Sequence, residues 1–266
     1  MFRRVRLGVA LLGRRVGVGS NAVDVRGSFN PERPPIVLVH GIGMSGEYFL
    51  PFADELVAEH DVYVIDLPGY GTTPNPHRAL TVPELGDIVA EFMGRLELDA
   101  PVVVGHSMGS QIIAHTIGEH PQLCAGYILI GPTVDPAGRS LRAHAWRLFR
   151  DSLREPPKTN AVIFRNYLRM GPVRYLRTAH YMFADRIEET ILGCAVPGLV
   201  VRGQQDPIAN HTWSRHLAHL APDAELVEIS RARHAVQHTR PKELTAACAP
   251  FLAYVRNDGV GRPSSP

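Results

Sequence analysis

Short apolar runs rich in β-branched residues recur along the chain at Ile36–Val39, Val62–Ile65, Val102–Val104, Tyr127–Ile130, Leu199–Val201 and Leu226–Ile229, with amphipathic stretches between them. Runs that are apolar at consecutive positions predict strands covered on both faces, and their alternation with helical segments predicts an α/β architecture around a mostly parallel sheet. Thr81-Val82-Pro83-Glu84 has the spacing of a capping box with proline in the first turn. Leu85, Ile88, Val89, Phe92 and Leu96 follow on a helical period, so a helix packed on the sheet is expected there. The rhythm changes between Pro132 and Pro197, where Trp146, Leu148, Phe149, Ile163, Phe164, Tyr167, Leu168, Tyr175, Leu176, Tyr181, Met182 and Phe183 lie among many arginines. A segment of this length needs secondary structure of its own, and its i, i+3 and i+4 spacings predict helices forming an inserted cap. The core is therefore expected at 1–131 and 198–256, the helical cap at 132–197, and a disordered polar tail at 257–266.

Composition changes this picture little. Of 266 residues, 45% are hydrophobic and 20% charged, as in an ordinary globular enzyme. The formal net charge of +2 is too small to argue for nucleic acid, and no nucleic-acid-binding signature accompanies it. Cys124, Cys194 and Cys248 are widely spaced and lack a C-x-x-C arrangement, which predicts reduced thiols rather than a disulfide framework or a zinc site, and no metal or cofactor is expected. The N-terminal apolar stretch Leu7–Leu12 is short, contains Gly8 and is closed by Arg14 and Arg15. It reads as neither a cleavable signal nor a span of the roughly 20 residues that a bilayer requires. A cytoplasmic location is expected, with peripheral membrane contact through Arg3, Arg4, Arg6, Arg14 and Arg15 as the alternative.

Candidate chemistry sits at strand ends. Gly105-His106-Ser107-Met108-Gly109 follows the strand Pro101–Val104 and precedes the helical stretch Ser110–Gly118, the strand, turn and helix context of a nucleophile elbow. There a serine is held in a sparsely allowed conformation at a helix N-terminus, where orphan N–H groups favour developing negative charge. His106 is adjacent, but neighbours at such a turn point apart, so it is expected in the wall or core. His40-Gly41-Ile42-Gly43 ends another apolar strand. A glycine-rich turn there would aim backbone N–H groups above the sheet, and Ile42 with Met108 are the candidate donors of an oxyanion hole.

Taken in order, VLVHGIGMSG, DLPGYGTT, VVVGHSMGS, LVVRGQQDPI and RARHAVQHTRP resemble the landmarks of the α/β-hydrolase superfamily across Pro35 to Val255. The resemblance implies an eight-stranded, mostly parallel sheet with helices on both faces and a helical cap after the sixth strand. It carries three catalytic positions onto Ser107, Asp206 and His234, the oxyanion donors onto Ile42 and Met108, and a structural role onto Asp66. Asp135, after the sixth strand, is the rival acid, because some members place it there. Among thirteen histidines, His234 stands in the loop between the last strand and the final helical stretch. His238 is expected at a helix entrance, His211, His216 and His219 on one helix, and His60, His115 and His120 in ordinary helical surroundings. Arg233 stands where the family often has glycine.

Serine at the elbow implies an acyl-enzyme route and a carboxylesterase-like hydrolase acting on a small-molecule acyl substrate. The same triad supports carbon–carbon bond hydrolysis, lactone hydrolysis, perhydrolysis or acyl transfer, and the fold also supports a non-catalytic receptor. Arg139, Arg142, Arg147, Arg150, Arg154, Arg165, Arg169, Arg174, Arg177 and Arg186 crowd the expected cap. They are expected mainly on solvated faces; one pointing inward would favour an anionic substrate.

Overall fold

The structure, a computed structural model, describes residues 11–136 and 157–257. Eight strands form one sheet: β1 (Leu12–Val18), β2 (Asn21–Gly27), β3 (Pro35–Val39), β4 (Asp61–Asp66), β5 (Val102–His106), β6 (Gly126–Ile130), β7 (Gly198–Gly203) and β8 (Ala224–Ile229). Their order is β1-β2-β4-β3-β5-β6-β7-β8. Every pairing from β4 to β8 is parallel, while β1 and β2 form an antiparallel hairpin that adds antiparallel to β4.

All six strands expected from the apolar runs are present. The N-terminal hairpin is not among the strands that the apolar runs predict. Val16, Val18, Val23 and Val25 alternate with polar residues around the turn at Gly19-Ser20, a period-two signal interrupted by Arg14 and Arg15. Both arginines have local partners in this hairpin region: Arg14 lies 4.0 Å over the Phe29 ring and Arg15 pairs with Asp24 at 2.6 Å.

Consecutive apolar residues in the central strands bury alternately on the two faces. Val37, Val39, Val103, Tyr127 and Leu129 join one core cluster, and Ile36, Leu38, Val104, Ile128 and Ile130 the other. Helices cover both clusters: α1 (Leu50–Leu56), α2 (Val82–Arg95), α3 (Met108–Glu119), α4 (Pro157–Met170), α5 (Pro172–Ala184), α6 (Ile187–Thr190), α7 (His211–Leu220), α8 (Val236–Thr239) and α9 (Pro241–Arg256). Side chains of α2, α3 and α7 fill the first cluster, and those of α1 and α9 the second. Thr81 caps α2 through the expected box: its hydroxyl accepts from the Glu84 N–H, and the Glu84 carboxylate accepts from the Thr81 N–H at 2.8 Å. His60 and His120 depart from their helical expectation, His60 lying beyond α1 in the bend before β4 and His120 just past the end of α3.

Between β6 and β7 the described part of the arginine-rich segment is helical, as α4, α5 and α6. Trp146, Leu148, Phe149, Arg139, Arg142, Arg147, Arg150 and Arg154 lie outside the described residues, as do Arg3, Arg4, Arg6 and the tail beyond 257. Among the described residues no helix is long and apolar enough to cross a membrane.

Candidate active site

The strand order reverses at β3, which lies between β4 and β5. In open α/β sheets such a reversal leaves a crevice at the carboxyl ends of the strands, where loops diverge to either side. The turns after β3, β5, β6 and β7 all open at this edge.

After β5 the chain turns through Ser107 at φ 57° and ψ −119°, then enters α3 at Met108. Such a backbone is strained for a residue bearing a Cβ, and the surroundings enforce it. The Ser107 N–H donates to the Ile130 carbonyl at 2.9 Å, and Ser107 in turn accepts from the Ser110 N–H at 2.9 Å. The turn is tight enough to require its glycines: a Cβ on Gly105 would lie 2.2 Å from the Gly109 carbonyl oxygen, and one on Gly109 2.4 Å from that of Val39. Met108 is the first residue of α3, so its N–H is among those with no partner inside the helix.

The turn after β3 abuts the elbow. A Cβ on Gly41 would fall 3.0 Å from the Ser107 Cβ, so only glycine lets the two segments approach this closely. His40 is fully buried beneath the turn; its Nδ1–H donates to the Gly41 carbonyl at 2.9 Å and its Nε2 accepts from the Leu67 N–H at 3.2 Å. Burial lowers the affinity of this ring for a second proton. Ile42 stands in the same turn, followed by Gly43 at φ 70°. Asp66, at the end of β4, is a buried brace: it pairs with Arg26 at 3.2 Å and accepts from the Gly46 N–H.

Asp206 and His234 come together from the last two strands. The loop after β7 is pinned by Gln204 N–H to the Ile229 carbonyl at 2.9 Å and Gln205 N–H to the Ala232 carbonyl at 2.8 Å. Asp206 Oδ1 accepts from the N–H groups of Ile208 at 2.7 Å and Ala209 at 3.1 Å, which fixes the carboxylate plane. Its Oδ2 accepts from the His234 Nδ1–H at 2.8 Å. Both side chains are buried. With Nδ1 carrying the proton, Nε2 is the basic nitrogen of the neutral ring. The rival Asp135 instead accepts from the Asn210 side-chain amide at 2.6 Å.

His106 is buried, as expected from the sequence, whereas Gly131 and the contacts made by His106 and Tyr167 had no place in that expectation. Gly131 (φ 54°) follows β6 so closely beneath the pair that a Cβ would lie 3.0 Å from His234 Nδ1 and 3.2 Å from Asp206 Oδ2; the Ile130-Gly131-Pro132 run at a strand end was its one signal. His106 is buried with its Nε2–H donating to the His234 carbonyl at 3.0 Å, while burial and then the neighbouring His234 push its proton affinity well down. Tyr167 of α4 packs on the turn after β3, where a Cβ on Gly43 would meet its ring at 2.3 Å. His238 is stacked on Tyr48 with ring centroids 5.1 Å apart.

The helices from the arginine-rich segment meet these loops directly. Arg165 pairs with Glu47, and Arg174 donates to the Pro76 carbonyl at 3.3 Å. Arg186 pairs with Glu189 at 3.5 Å. Beside the turn after β3 is a cavity of about 260 Å³ whose walls include Gly43, Met44, Tyr70, Asn75, Asn166 and Arg169. Among the described residues, no group of three metal-ligating side chains converges.

Comparison with known proteins agrees with this fold. A family model described as the alpha/beta hydrolase family matches residues 36–247. The chain is 27% identical over 82% of its length to a dihydrolipoyllysine-residue acetyltransferase component of the acetoin cleaving system of Pseudomonas putida, of which it spans 63%, and it spans 47% of a second, longer relative. It is 23% identical to a pimeloyl-acyl-carrier-protein methyl ester esterase of Xylella fastidiosa, over 83% of this chain and 95% of that one. Among solved structures, an N-acyl homoserine lactone degrading enzyme superimposes with a TM-score of 0.78 at 25% identity, over 90% of this chain and 100% of the other.

Proposed function

The chain belongs to the alpha/beta hydrolase family, and from that membership we propose that it is a serine hydrolase cleaving a carboxylic ester, or a related acyl bond, of a small molecule through an acyl-enzyme. The observation that carries the proposal is the constellation at one sheet edge: a strained Ser107 at a helix start and His234 bonded at 2.8 Å to a doubly anchored Asp206.

In this mechanism Ser107 Oγ attacks the substrate carbonyl carbon while His234 Nε2 takes its proton. Asp206 holds the ring with Nε2 as base and stabilises the imidazolium that forms. The carbonyl oxygen becomes an oxyanion, met by the N–H groups of Ile42 and Met108; loss of one such donor typically costs about 10²- to 10³-fold in rate. The carbon–oxygen bond to the alcohol breaks as His234 returns the proton to the leaving oxygen. Water then attacks the acyl carbon as its proton passes to His234; the bond to Ser107 Oγ breaks, His234 returns the proton to that oxygen, and the carboxylic acid leaves.

We read residues 132–197 as a cap over this site, supported by the contacts of Tyr167, Arg165 and Arg174 with the loops after β3 and β4. Arg169 at the cavity wall supports including anionic acyl substrates. A lactone is the second reading, favoured by the likeness to the lactone-degrading structure. A panel of p-nitrophenyl esters of different chain length, lactones and carboxylate-bearing diketones, with Ser107→Ala as blank, tests both. Ester turnover lost in the variant is expected; turnover equal in wild type and variant would overturn the reading.

A further inference from the structure

His106 is the last residue of β5, paired in register with Ile130 of β6, so the sheet itself fixes where its ring begins. That ring lies among Tyr48, Phe49 and His234, with centroids at 5.7, 6.4 and 4.7 Å. An apolar side chain could fill such a cage. Histidine there leaves its Nδ1 buried without a hydrogen-bond partner, a cost that a purely space-filling residue would avoid. The return on that cost is the bond from Nε2–H to the His234 carbonyl at 3.0 Å, which crosses 128 residues of sequence. The loop that carries His234 leaves β8 through Arg231 at φ 56° and has no regular structure until α8. Its imidazole is tied at the ring to Asp206 after β7, and its backbone is tied to His106 at the end of β5.

We propose that His106 is a positioning residue: its Nε2–H clasps the His234 backbone to the strand that carries Ser107, keeping the imidazole in register with both Asp206 and the elbow. This rests on the serine-hydrolase reading of Ser107 and His234. His106 itself moves no proton in the reaction. Its Nε2 is committed to a carbonyl, and its buried ring beside His234 stays neutral as His234 becomes cationic. The clasp acts on geometry, where a displacement of about 1 Å can cost about 10²-fold in rate.

Two substitutions separate the bond from the packing. His106→Phe keeps an aromatic ring and removes the donor; His106→Gln offers a side-chain N–H in place of Nε2–H. Both are compared with wild type for the rate of Ser107 phosphonylation by a fluorophosphonate, for ester kcat and KM, and for the proton spectrum of ¹⁵N-histidine-labelled protein. The expected result is a fall of about 10-fold or more in phosphonylation rate and kcat for His106→Phe with KM little changed, and recovery of most of that loss in His106→Gln. The downfield Nδ1–H resonance of His234 is expected to broaden in the phenylalanine variant and to return in the glutamine variant. A folded His106→Phe protein with wild-type rates and an unaltered His234 resonance would overturn the proposal, as would a glutamine variant as impaired as phenylalanine by both readouts. If wild type neither labels nor turns over ester, the hydrolase reading fails, and the His234 resonance still decides whether the clasp exists.

Discussion

Asp206 and Asp135 follow neighbouring strands at the same edge of the sheet, yet their carboxylates have different partners. Asp206 spends one oxygen on two backbone N–H groups and aims the other at His234, whereas Asp135 is bonded to the Asn210 amide. Asp206→Asn should therefore lower kcat by up to about 10⁴-fold, because the amide favours the wrong tautomer of His234. Asp135→Asn should leave kcat near wild type; the reverse ranking in steady-state ester kinetics would reassign the acid. The turn at Ser107 was legible because it is written in five contiguous residues between a strand and a helix. The choice between two carboxylates was not, since it turns on which loop carries its oxygen to an imidazole 28 positions away from Asp206. Gly131 was hidden for the same reason: its need for a missing Cβ comes from neighbours contributed by β7 and the last loop.

Among elements, α2 is the one whose start the sequence specifies most fully. Thr81, Pro83 and Glu84 supply both halves of a capping box and a proline in the first turn. Replacing Thr81 by alanine should destabilise the protein by about 1 kcal/mol, read as a lower urea midpoint with an unchanged slope. An unchanged midpoint would mean that packing of Leu85, Val89 and Phe92 alone sets this helix. The β1–β2 hairpin shows the opposite case. Its inward valines alternate with arginines and aspartate, and a search for continuous apolar runs passes over them. Central strands read easily because both of their faces are covered; β1, largely exposed at the sheet edge, has only one face to record its place.

Across the whole molecule, the same edge that assembles the site also buries histidines in neutral form. Burial holds His40 and His106 below the ordinary imidazole pKa, so the unfolded chain binds protons that the folded chain refuses. Their contribution to stability is present above the unfolded value of about 6.5 and is lost as pH falls below it towards the lowered folded values. Urea unfolding should accordingly show a lower midpoint at about pH 5.5 than at about pH 7.5, and a midpoint that rises on acidification would contradict this assignment. The proposed reaction depends on the reactivity of one hydroxyl, which intact-mass and peptide mass spectrometry can read after brief exposure to a fluorophosphonate. A single phosphonyl adduct is expected on the folded protein, located on Ser107 and absent from Ser107→Ala. A folded wild-type protein that gains no adduct, or gains it on another residue, would contradict it.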